Sequence, residues 1–199
     1  MTAINVVTDL TIEDEIAIIT VNSPPVNALS AKVREGLFTA FDQAGALPAV
    51  AAIILICEGK TFIAGADIGE FGKPMTGPSI REVQDLMERA PKLVIAAMHG
   101  TVLGGGLEIA LMAHYRLAVP STKAGLPEVN IGLVPGAGGT QRLPRVVGVE
   151  KRWNSSPAVS TFLRPPRCRW DSSMRWSRRA SFAKARSSSR GSHWPRGDR

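Results

Sequence analysis

The chain has 199 residues, 44% of them apolar, and carries 24 Lys plus Arg against 17 Asp plus Glu, a net charge of +7. That length suits one domain or slightly more, with enough apolar residues for a core. No apolar run approaches the ~18 residues of a membrane span, which excludes a spanning helix.

The first residues lack the basic region and long apolar run of a secretory leader. Cys57 and Cys168 show neither zinc spacing nor a disulfide framework, so a reducing cytoplasm is the default compartment. The charge is unevenly placed. Residues 1–150 hold 11 basic and 15 acidic side chains, a net of −4, whereas 151–199 hold 13 basic and 2 acidic, a net of +11. All four tryptophans also fall in that last quarter.

In chain order, Ile16-Ala17-Ile18-Ile19-Thr20-Val21 reads as a strand that ends at Ser23-Pro24-Pro25, where proline cannot continue a ladder. Ser30 suits a helix N-cap, and Val33, Leu37, Phe38 and Phe41 follow at helical spacing until Gly45 and Pro48. The run from Val50 to Cys57 is apolar on both faces, the pattern of a strand buried between layers. Glu58-Gly59-Lys60 is a turn, Phe62 to Ile68 a small-residue segment, and Gly72 to Pro78 a loop.

Ser79 to Arg89 predicts an amphipathic helix with Ile80, Val83, Leu86 and Met87 on one face. Pro91 ends it, and Leu93 to Met98 is another strand, running into Gly100. Gly104-Gly105-Gly106 precedes a helix from Leu107 to Ala113, and Tyr115 to Val119 is a short strand. Gly132 to Gly139 forms a second glycine cluster, after which Thr140 to Val147 can start a helix. The order predicts an α/β layered domain over 1–150. After Glu150 the periodicity is lost and Arg, Ser, Pro and Trp dominate.

Two carboxylates each follow a glycine-rich stretch. Glu108 opens an apolar helix, where an acid is stabilised by the helix dipole alone. Glu128 lies in Leu126-Pro127-Glu128-Val129, where a solvated loop acid is the plainer reading. Gly104-Gly105-Gly106 presents free N–H groups at a positive helix end, suited to an anion or an incipient oxyanion. Neither glycine cluster has the phosphate-loop or dinucleotide pattern, and tight packing of a helix on a sheet accounts for both. His99 reads as a satisfied core residue and His114 as a helix-end residue. Asp67 suits a cap.

The order of motifs says more than any one of them. Phe62-Ile63-Ala64-Gly65-Ala66-Asp67-Ile68 is followed by His99-Gly100-Thr101-Val102-Leu103-Gly104-Gly105-Gly106-Leu107-Glu108-Ile109-Ala110, then Gly125-Leu126-Pro127-Glu128, then Gly132 to Leu143. This closely resembles the enoyl-CoA hydratase/isomerase (crotonase) family over about residues 10 to 150. Pro24-Pro25-Val26-Asn27-Ala28-Leu29-Ser30 also resembles the N-terminal hydratase module of multifunctional fatty-acid oxidation enzymes, which carry a 3-hydroxyacyl-CoA dehydrogenase region further along.

The resemblance implies a ClpP/crotonase layered ββα superhelix, truncated on its C-terminal side. It implies an oxyanion hole made by the N–H groups of Ala66 and Gly105, and an acid/base pair made by Glu108 and Glu128. Ala64, Gly65, Asp67 and Ile68 would line the CoA pocket, with the 72–78 loop beside the acyl chain. The implied reaction is hydration of a trans-2-enoyl-CoA to a 3-hydroxyacyl-CoA in β-oxidation. Double-bond isomerisation through Glu128 would run beside it. It needs no metal and no cofactor beyond the coenzyme A of its acyl-CoA thioester substrate. A homo-oligomer, or a dehydrogenase module in the intact form, would be the protein partner. A truncated, non-catalytic acyl-CoA-binding remnant is the competing reading.

The likeness stops near Glu150, and 151–199 reads as GC-rich coding DNA in the wrong frame. The expectation is an incomplete hydratase core followed by a basic, disordered tail, with low solubility and weak turnover. Clean DNA reads in the same frame, with a matching intact mass, would contradict a sequencing error. A tail that binds nucleic acid through Arg and Trp loses to the out-of-frame reading, which explains the same composition.

Overall fold

The computed structural model describes residues 2–147. The tail assignment for 151–199 lies outside the described residues. The nine strands and four helices described are β1 (Thr2–Asn5), β2 (Thr8–Glu13), β3 (Ile16–Val21), α1 (Ala31–Ala46), β4 (Ala52–Cys57), β5 (Thr61–Ile63), α2 (Ile80–Arg89), β6 (Leu93–Met98), β7 (Thr101–Leu103), α3 (Gly105–Met112), β8 (Tyr115–Ala118), β9 (Lys123–Gly125) and α4 (Gly139–Val147). Short 3-10 turns span Ile68–Glu70 and Glu128–Ile131.

These strands form two sheets. The larger runs β1-β2-β3-β4-β6-β8 and the smaller β5-β7-β9. β1, β2 and β3 are antiparallel, whereas β3, β4, β6 and β8 are parallel. Each strand pair β4–β5, β6–β7 and β8–β9 places its first strand in the larger sheet and its second in the smaller. A helix follows each pair, giving three consecutive strand–strand–helix units. The α/β layering expected from the sequence is present.

The apolar runs explain which strands are central. Ala17, Ile19 and Val21 of β3, Ile53 and Leu55 of β4, and Val94 and Ala96 of β6 are all buried. α1 packs on β1 to β4, presenting Val33, Leu37, Ala40, Phe41 and Ala44 to the core. Ser30 caps it by accepting the Val33 N–H, and the helix runs through Gly45 to Ala46, one residue beyond the glycine expected to close it. α2 begins with a full capping box, Ser79 and Glu82 bonding each other's backbone N–H. Cys57 is buried, and burial pushes its thiol up.

α3 is buried along its whole length and packs on β5 and β7. Gly106 permits this closeness, because a Cβ there would clash with the Ile63 carbonyl oxygen. Leu93 at the start of β6, and Tyr115 and Leu117 on the edge strand β8, remain exposed. Among the described residues no helix is long and apolar enough to cross a membrane.

Candidate active site

The site is built at the exits of the second strands of the three units. β5 leads into Ala64-Gly65-Ala66, β7 into Gly104 and α3, and β9 into Glu128. Three parallel neighbours therefore deliver three chain segments to one end of the smaller sheet.

Gly65 adopts φ +111, which a residue with a side chain rarely takes. Its carbonyl accepts the Leu29 N–H at 2.9 Å. This fastens the segment beside α3, with Leu29 and Ala66 in a parallel bridge. A Cβ built on Gly105 would lie 3.8 Å from the Ala66 nitrogen. The two main-chain stretches thus face each other across the space a Cβ would fill. Gly105 sits in the first turn of α3, so its N–H has no acceptor within the helix. Ala66 is exposed, while Gly105 is buried.

Gly104 has φ +52, and a Cβ on it would meet Glu128 Oε1 at 3.2 Å and the Gly65 Cα at 3.7 Å. The absent side chain makes room for the Glu128 carboxylate against the entrance to α3. Glu108 lies one turn into the helix and is only 3% exposed. Its Oε1 accepts the Ala137 and Gly139 N–H groups, each at 2.8 Å. Both bonds go to one oxygen, so Oε2 is left to face another partner. Glu128 differs: its Oε2 is buried and has no hydrogen-bond partner.

Burial pushes the Glu128 carboxyl up. Its own backbone N–H works against this, and the neighbouring Glu108 charge adds to the rise. The ordinary value is 4.5. A raised carboxyl contributes stability that is full below the ordinary value and is lost as pH rises through the raised one. Glu128→Gln should therefore raise the melting temperature at neutral pH, and the gain should vanish as pH falls below the ordinary carboxylate range. Thermal melts across pH 3.5–8 would check this, and a constant gain would contradict it.

The other residues singled out from the sequence take these places. Asp67 caps the 3-10 turn, accepting the Gly69 N–H at 2.9 Å, and Ile68 is exposed. Ala64 donates its N–H to the Val26 carbonyl. His99 is half-buried rather than a core residue, with its Nε2 3.1 Å from the Gly59 carbonyl. His114 follows α3 and accepts the Val94 N–H through Nδ1. Neither imidazole makes a hydrogen bond to the carboxylates.

Sequence reasoning missed three contributors. The Gly136–Gly139 cluster, read as packing, supplies the two N–H donors to Glu108. Gln84 of α2, buried, donates through Nε2 to the carbonyls of both Glu108 and Ala137. Arg34 of α1 donates to Leu29, Thr76 and Pro78 carbonyls and to Glu70, so the 72–78 loop is tethered. Gln84 and Arg34 were visible only as polar residues set in apolar helical stripes.

A family model described as enoyl-CoA hydratase/isomerase matches residues 11–153. A probable enoyl-CoA hydratase of Bacillus subtilis is 46% identical over 149 residues, covering 71% of this chain and 58% of that protein. A peroxisomal bifunctional enzyme of Danio rerio is 45% identical over 138 residues, 69% of this chain and 19% of its own length. This chain therefore spans a little over half of the bacterial relative and about a fifth of the bifunctional one.

Among solved structures, an enoyl-CoA hydratase subunit of Geobacillus kaustophilus superposes with a TM-score of 0.69 at 33% identity, covering 78% of this chain and 64% of that one. Pseudomonas aeruginosa DspI gives 0.68 at 30% identity, with 76% and 64% covered. The fold is that of crotonase-like proteins, and the chain belongs to the enoyl-CoA hydratase/isomerase family.

Proposed function

We propose that this chain carries the acid/base and oxyanion residues of a trans-2-enoyl-CoA hydratase acting in β-oxidation, with double-bond isomerisation as a second capacity. The observation that carries the reading is the asymmetry of the two carboxylates. Glu108 is held by two N–H donors on one oxygen, whereas Glu128 has a buried oxygen with no partner and a raised carboxyl. General acid/base work needs one carboxyl charged and its neighbour able to hold a proton.

In this mechanism the thioester carbonyl oxygen sits between the Ala66 and Gly105 N–H groups. Water, held by Glu108 Oε2, gives a proton to that carboxylate as its oxygen bonds to C3. Negative charge moves through C2 to the thioester oxygen, where the two donors stabilise it. Protonated Glu128 then delivers its proton to C2, which gives the 3-hydroxyacyl-CoA. Exchange with solvent restores both carboxyls. Isomerisation needs only Glu128, which in its ionised form takes a proton from C2 of a 3-enoyl-CoA and returns it to C4. No group beyond the thioester's own coenzyme A enters these steps.

The CoA portion would lie along Ala64, Gly65, Asp67 and Ile68. The Bacillus subtilis relative is named a probable enoyl-CoA hydratase and the fish relative a bifunctional enzyme. These names support the substrate class, and the bifunctional one fits a parent form with a dehydrogenase module; a homo-oligomer is the other partner proposed. The cytoplasm is proposed on cysteine chemistry alone, since relatives also carry peroxisomal names. Leu93, Tyr115 and Leu117 are exposed apolar side chains, which favour association and low solubility. Weak turnover by the 199-residue chain is the accompanying expectation.

The test is the loss of conjugated-enoyl absorbance when the purified chain meets crotonyl-CoA. Gly105→Pro is the informative variant. Proline is tolerated at the first position of a helix and removes the N–H in question; its Cβ would lie 3.0 Å from Leu29 and 3.1 Å from Ile80, a crowding that Gly105→Ala reproduces with the N–H kept. It should lower kcat/KM by about 10²–10³-fold, while Gly105→Ala, which keeps the N–H, should lose far less. Equal rates for both would sink the oxyanion assignment. Tight CoA binding with no turnover at all would favour the acyl-CoA-binding remnant.

A further inference from the structure

We propose that Gln84 is a positioning residue whose side-chain amide fixes the 136–139 loop so that two backbone N–H groups converge on Glu108. The inference rests on the hydration reading for what Glu108 does, though not for the geometry.

Gln84 lies between Val83 and Met87 on the buried face of α2, and is itself only 4% exposed. Its Nε2 has two protons and two acceptors: the Ala137 carbonyl at 2.9 Å and the Glu108 carbonyl at 3.2 Å. The Ala137 N–H in turn donates to Glu108 Oε1. The circuit is closed. One amide holds the backbone of Glu108 at one point, and at another the Ala137 carbonyl, one Cα along from the N–H that grips the Glu108 side chain.

An apolar residue would fill the same space, so packing alone does not require a glutamine here. An amide buried without partners would be costly, which argues that its two bonds are its purpose. Arg81, three residues earlier, donates to the Gly136 carbonyl at 2.9 Å, but that bond is exposed to water. Gln84 is thus the water-shielded tether. Gly139, the second donor, leaves no room for compensation, since a Cβ there would meet Glu108 Oε1 at 3.0 Å. Losing the tether frees the 137–138 peptide, which lies between the two donating N–H groups, and Glu108 then loses the donors that aim its other oxygen.

The test uses the full chain. Gln84→Met keeps volume and removes both protons. Gln84→Asn keeps the amide but withdraws it by one methylene, and serves if the first variant folds poorly. Amide hydrogen exchange should accelerate at Ala137 and Gly139 by about tenfold or more, with β4 amides unchanged. The proton resonances of those two amides should shift while that of Gly106 stays. Hydration should lose about 10–100-fold in kcat, with KM held within about twofold.

Unchanged exchange at Ala137 and Gly139 in a folded variant would overturn the proposal. So would equal acceleration across β4 and the loop in both variants, which marks a merely structural role. The exchange arm needs no turnover. If both amides are freed yet neither Gln84→Met nor Glu108→Gln alters hydration, the tether stands and the hydratase reading of Glu108 falls.

Discussion

Glu108→Gln should cut crotonyl-CoA hydration by about 10²–10⁴-fold, the usual worth of a positioned acid or base, and Glu128→Gln should do the same. The two losses have different origins. A glutamine at 108 can still accept the Ala137 and Gly139 N–H groups through its amide oxygen, so the loop stays in place. What disappears is a base able to take the proton of water. At 128 the buried oxygen has no hydrogen bond to lose, and the variant removes the transferable proton of a carboxyl that burial pushes above its ordinary value.

Two further outcomes separate this account from general damage. The double variant should be little worse than either single one, because residues acting on one step are not additive. Isomerisation of a 3-enoyl-CoA should survive Glu108→Gln and fail in Glu128→Gln, since only Glu128 moves its proton. CoA binding, measured by calorimetry, should persist in all three. Full hydration by Glu108→Gln would show that the pair does not work as proposed.

How far such a site can be read from sequence depends on which atoms do the work. β3, β4 and β6 were legible because strands with one face buried and the other largely covered write continuous apolar runs. β5, β7 and β9 have three residues each, too few to show a period. The split into two sheets depends on pairing between segments far apart in the chain. β1 and β2 alternate weakly and went unread. Glu108 and Glu128 stood out as acids beside glycines, and their order matched a family pattern.

Their partners did not stand out, for a physical reason. The donors to Glu108 are backbone N–H groups of Ala137 and Gly139, and a backbone donor has no letter of its own. The glycine cluster recorded only that something passes close by. Gln84 did leave a mark, as an amide between Val83 and Met87 in an otherwise apolar stripe. A polar residue at a core position of a helix asks for a buried acceptor. That question identifies the side chain before it identifies the partner, which lay 24 and 53 residues away.

Arg34 raises the same question with a charge, and its removal should have the largest effect on stability. Its guanidinium is held by Glu70 at 2.8 Å and by carbonyls of Leu29, Thr76 and Pro78 at 2.7–3.0 Å. Glu70 is bonded again by the Ala31 N–H at the start of α1. One buried cation therefore ties α1, the 3-10 turn after Asp67 and the 72–78 loop to the strand bridge that carries Ala66. Arg34→Met preserves the packing of the stem and strands these acceptors.

Breaking a buried pair from one side costs about 3–5 kcal/mol. Glu70 keeps 34% side-chain exposure, so water can solvate part of what is left, and the lower end, about 3 kcal/mol, applies. For a chain of this size that is a fall of about 6–12 °C in Tm. Glu70→Gln should cost much less, because it leaves the cation its three carbonyls.

Burial opposes the shift, but hydrogen bonds from Arg34 and Ala31 hold the Glu70 carboxyl below its ordinary 4.5. A lowered carboxyl adds stability that is complete above the ordinary value and is lost as pH falls through the lowered one. The gap in Tm between the parent chain and Arg34→Met should therefore narrow in acid. It should not close, because the carbonyl bonds do not titrate. A gap that is constant across pH would assign the whole effect to those carbonyls. No gap at all would mean that the 72–78 loop holds itself, and that its tether lies elsewhere.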